Sequence, residues 1–177
     1  NTEQPTHVKF ESAGPCQPRE TIAPWQSVDI KVDAGPHFQT PPTTSAQFEA
    51  LTDEAVVAGE DNRAYVRIRN RGPVTADRVD VKLLWAWTSI PTPMLASDFW
   101  TSFPSTPSAS SDWQSIGTET LLRLKYSGSS VAGSMIDDAQ VAGFAWKMPP
   151  LPVSLSSPAT CSLLAIADSP QDPVTNG

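Results

Sequence analysis

The run Tyr65-Val-Arg-Ile-Arg-Asn-Arg-Gly-Pro-Val-Thr-Ala-Asp-Arg-Val-Asp-Val-Lys-Leu-Leu-Trp-Ala-Trp87 constrains the fold more than any other stretch of this chain. It reads as two alternating strands joined by a loop that opens Asn70-Arg71-Gly72-Pro73. Val66 and Ile68 fall on one face of the first strand, with Arg67 and Arg69 on the other. In the second, Val79, Val81, Leu83, Trp85 and Trp87 share a face through the two-residue period of extended backbone. Such alternation describes a half-buried antiparallel sheet.

The rest of the chain agrees. Further strand candidates lie at 28–32, 119–126, 141–147 and 160–167, separated by Gly, Pro and Ser, and Phe144 and Trp146 share a face of the third. The 18 prolines among 177 residues work against long helices, and a single turn at 134–140 is the one helical feature expected. The connection 33–55, with Gly35-Pro36 and Pro41-Pro42, reads as irregular. Together these features predict an all-β, antiparallel β-sandwich of immunoglobulin-like topology. Residues 1–27 form an extended N-terminal arm with Phe10 and Trp25 as anchors, followed by the sandwich domain at 28–177.

A Ser-, Thr- and Pro-rich excursion at 88–115 interrupts the domain. A loop that long inside a compact unit needs a physical reason. Its aromatics, Phe99, Trp100, Phe103 and Trp113, either tuck back onto the sandwich or present a contact surface to a partner.

A formal charge of −7 and a pI near 4.7 argue against nucleic acid as a partner, because a phosphate backbone calls for a net basic surface. The one basic cluster is Arg63, Arg67, Arg69, Arg71 and Arg78. Arg67, Arg69 and Arg71 line one strand face, either solvated and balanced by acids opposite, or open to an anionic partner. No apolar run approaches the roughly 18 residues needed to cross a bilayer. With no start methionine, signal pattern or lipidation motif, the chain is expected to be a processed or excised piece of a longer one.

Cys16 and Cys161 admit two readings. A disulfide between them would tie the arm to a late strand and contribute roughly 4–5 kcal/mol in the chain-entropy model. Alternatively Cys161, within a buried strand, acts as a small hydrophobe. Neither has a Cys or His at zinc-ligand spacing, and no metal or other cofactor is expected.

Catalysis is not expected either. His7 lies in the arm and His37 in a connection, and no Gly-x-Ser-x-Gly elbow marks a nucleophile. Glu60-Asp61 and Asp137-Asp138 occupy loop positions where surface acids are common, without the spacing of a calcium loop. Trp25, Trp100 and Trp113 supply an alternative function, a carbohydrate-binding module whose exposed rings stack on sugar faces.

An ordered series of motifs carries a resemblance: Asn62-Arg-Ala-Tyr-Val-Arg-Ile-Arg-Asn-Arg-Gly-Pro73, Val79-Asp-Val-Lys-Leu-Leu-Trp-Ala86, Trp113-Gln-Ser-Ile-Gly117, Trp146-Lys-Met-Pro-Pro-Leu-Pro152 and Cys161-Ser-Leu-Leu-Ala165. The series is similar to the CARDB-like, immunoglobulin-like modules of large secreted or surface-attached bacterial proteins. It spans about residues 28–174 and is strongest between 62 and 86. The chain departs from that pattern in having Pro158-Ala159-Thr160 where a His often precedes the late Cys. The resemblance implies a non-catalytic structural or adhesive module of the cell surface or exterior. Such a module works through contacts with other protein subunits or domains, including homo-oligomers built by strand addition. No ligand residues carry over from it, since the shared positions read as core and turn positions.

Overall fold

A computed structural model describes residues 29–70, 74–88, 99, 112–125, 139–150 and 160–170. The arm at 1–27 and most of the turn expected at 134–140 lie outside them. The elements run β1 (Ile30–Ala34), α1 (Ser45–Ala50), β2 (Asp61–Ile68), β3 (Ala76–Thr88), β4 (Gln114–Leu124), β5 (Gln140–Lys147) and β6 (Thr160–Asp168). They form two antiparallel three-stranded sheets, in the orders β1-β2-β5 and β4-β3-β6, so the fold is an all-β sandwich.

The two strands of the opening motif do not pair with each other. β2 is the central strand of one sheet and β3 of the other, so the intervening loop carries the chain across the sandwich. The Asn70 side chain holds that crossing, donating from Nδ2 to the carbonyls of Val74 at 2.7 Å and Leu124 at 2.9 Å. Asn62 has a similar task one strand earlier. Fully buried, its amide accepts from Val57 N–H and donates to the carbonyls of Val57 and Glu60, pinning the turn that contains Gly59 at φ 84°.

As central strands, β2 and β3 are buried on both faces. Their inner faces meet in one core: Ala64 and Val66 pack with Val79, Val81, Leu83, Leu124, Ala142 and Phe144. Leu84 and Ala86, on the outer face of β3, join Phe99, Trp113 and Ile166 in a second cluster. A bulge allows this: Leu83 is opposite Gly117 but Leu84 is opposite Ser115, which leaves Ile116 as the extra residue on β4.

Several element boundaries differ from the sequence reading. β1 begins at Ile30 instead of Val28, and β4 begins at Gln114, five residues before the strand expected at 119. The connection after β1 is not wholly irregular. It contains α1, started by a capping box in which Thr44 Oγ1 accepts from Gln47 N–H and Gln47 Oε1 accepts from Thr44 N–H. Lys31 closes the other end, donating to the carbonyls of Glu49 at 3.0 Å and Leu51 at 2.8 Å. The helix exists to deliver Phe48, fully buried with Leu51 and Tyr65 on the outer face of the first sheet.

Candidate functional site

The arginine face of β2 is turned inward under α1. Arg67 is 5 % exposed; its Nε donates to Asp29 Oδ1 at 2.7 Å, its Nη1 to Ser45 Oγ and to Glu49 Oε1, and its guanidinium lies 4.8 Å from the Phe48 ring centre. Burial works against the charge, but the bonds that Arg67 donates to Glu49 and Asp29 outweigh that and hold its pKa above the ordinary value. Arg69 donates to the same Asp29 oxygen at 2.8 Å. This face is therefore neither solvated at Arg67 nor presented to an anionic partner there. Arg71 lies outside the described residues.

The described loop aromatics pack inward. Phe99 is 2 % exposed and Trp113 is 5 % exposed, both against Leu84, Ala86 and Ile166. A ring buried in this way offers no face to a sugar. Trp25, Trp100 and Phe103 lie outside the described residues. Trp85 is buried and meets Trp87 edge-on, with ring centres 5.5 Å apart.

Other titratable groups are similarly placed for structure. Burial lowers the pKa of Lys82, 3 % exposed on the outer face of β3. Desolvation alone would raise Asp80, but Thr120 Oγ1 at 2.6 Å and the Arg78 guanidinium hold it below the usual carboxylate value. The Cys161 thiol is free, half-buried and pushed up by burial, while Cys16 is outside the described residues. Two buried donors, the Tyr65 hydroxyl and the Trp146 indole N–H, have no hydrogen-bond partner among the described residues. Burial raises the Tyr65 pKa, partly offset by the nearby Arg63 guanidinium, which stacks on Phe38 at 4.0 Å. Glu60 and Asp61 stand at the turn into β2, and Asp137 and Asp138 are outside the described residues.

The two edges of the first sheet contrast sharply. In β1, the N–H and C=O groups of alternate residues point away from β2, and the segment 53–54 occupies several of them. Val32 N–H donates to Asp53 Oδ1 and Ala34 N–H to Glu54 Oε2, both at 2.8 Å, while the Val32 carbonyl accepts from Glu54 N–H at 2.9 Å. Carboxylates on two of the outward N–H groups hinder pairing with a further strand.

At the opposite edge, the Met148 N–H donates to the Glu60 carbonyl in line with the β2–β5 register. The even-numbered residues of β5 therefore bond β2 and the odd-numbered ones point outward. Among the described residues, the outward backbone groups of Val141, Gly143, Ala145 and Lys147 meet no hydrogen-bond partner. Gly143, Ala145 and Lys147 are exposed, and the strand has no proline and one charge, Lys147, at its end.

Sequence reading identified β5 as a strand but not as an edge, because strand order depends on long-range pairing. The caps on β1 leave a fainter signal: the adjacent acids Asp53-Glu54 in a connection that returns beside the strand.

Comparison with known protein families, with curated proteins and with solved structures finds no match to this chain.

Proposed function

We propose that this chain is a non-catalytic structural or adhesive β-sandwich module that acts through protein–protein contacts in an extracellular or surface assembly. The observation that carries this reading is the asymmetry of the first sheet. Asp53 and Glu54 cap one edge, while at the other the outward backbone groups of four residues meet no partner among the described residues. Proteins cap or charge their edges to prevent association, and a long bare edge with a single charge invites a partner strand. The CARDB-like resemblance supports the same role and supplies its surface setting. The fate of the arginine and aromatic candidates fits it too. Among the described residues, Arg67, Arg69, Phe99 and Trp113 serve the internal architecture.

The arm, residues 1–27, is the donor in this reading. Size-exclusion chromatography with light scattering, on the full chain and on a chain lacking residues 1–24, tests it. A concentration-dependent oligomer that becomes monomeric on truncation is expected. An oligomer unchanged by truncation removes the arm from the account, and a monomer in both cases, with no other protein partner retained, overturns the assembly role.

A further inference from the structure

We draw no further inference here: the strongest candidate, the open groove in which Arg123 and Lys125 lie beside Thr43, Thr44 and Gln140, carries none because the segment joining Lys125 to Ala139, with Asp137 and Asp138 in it, lies outside the described residues and nothing in the structure shows what faces the two cations.

Discussion

Arg67 Nε meets Asp29 Oδ1 at 2.7 Å, and Arg69 Nη1 reaches the same oxygen at 2.8 Å, so one carboxylate is clamped by two guanidinium groups, one in β2 and one just past its end. Asp29 stands immediately before β1, which makes this clamp the point where the arm joins the sandwich. Replacing Arg67 with Met removes charge-assisted bonds to Asp29 and Glu49 and the stacking on Phe48. The expected loss is about 2–3 kcal/mol, since both acids retain some solvent. Urea unfolding measures it; a change below 0.5 kcal/mol on that order-of-magnitude scale would show that the clamp carries little stability.

Removing the caps of β1 should create a second sticky edge. The double variant Asp53→Ala, Glu54→Ala strips the acceptors from Val32 and Ala34 N–H. A stability loss of about 1–3 kcal/mol and new concentration-dependent aggregation are expected. Static light scattering reads the second effect, and unaltered solubility contradicts the proposed role of these carboxylates.

Two glycines separate permission from prohibition. A Cβ at Gly143 would meet the Tyr65 ring at 3.4 Å, an ordinary contact, whereas one at Gly35 would press on the Asp61 carbonyl oxygen at 3.0 Å. Gly143→Ala is therefore expected to be neutral or stabilising by about 0.5 kcal/mol through the unfolded chain, and Gly35→Ala to destabilise. Paired thermal melts test the opposite signs.

Trp113 distinguishes core from sugar binding. With its ring packed on Leu84, Ala86 and Ile166, Trp113→Ala should cost about 3–5 kcal/mol of stability. A stable variant that has lost binding on a glycan array would instead favour the carbohydrate-binding reading.

Lys82 gives a pH signature. Burial lowers its folded pKa, so the unfolded chain binds the extra proton between the two values. Stability then rises as pH climbs through the window just below the ordinary lysine value. Lys82→Met should flatten that rise in urea midpoints taken between neutral and mildly alkaline pH; an unchanged slope would assign it to other groups.

The sandwich was legible wherever side-chain period mattered. Val66, Val79, Val81, Leu83 and Phe144 occupy the inner faces that alternation assigns them, and Phe99 and Trp113 tuck back as one reading of the long excursion required. Sheet membership was not legible. Nothing local in Asn70-Arg71-Gly72-Pro73 distinguishes a hairpin turn from a crossing between sheets, and two-sided burial makes Arg67 look like a solvated position. Helix α1 had a readable signal in Thr44-Ser-Ala-Gln47, the spacing of a capping box, but its six residues are too short for a helical period to emerge. That β5 is an edge strand belongs to neither kind of pattern, because it depends on which strand comes to lie outermost.

Amide hydrogen exchange at Gly143, Ala145 and Lys147, followed as protein concentration rises, tests the central claim most directly. Their N–H groups point away from β2, and the residues themselves are exposed. Strand addition predicts slow exchange at these three positions in concentrated solution and fast exchange on dilution, with Ala142 and Phe144 protected throughout. Fast exchange at Gly143, Ala145 and Lys147 in a sample that light scattering shows to be assembled would contradict it.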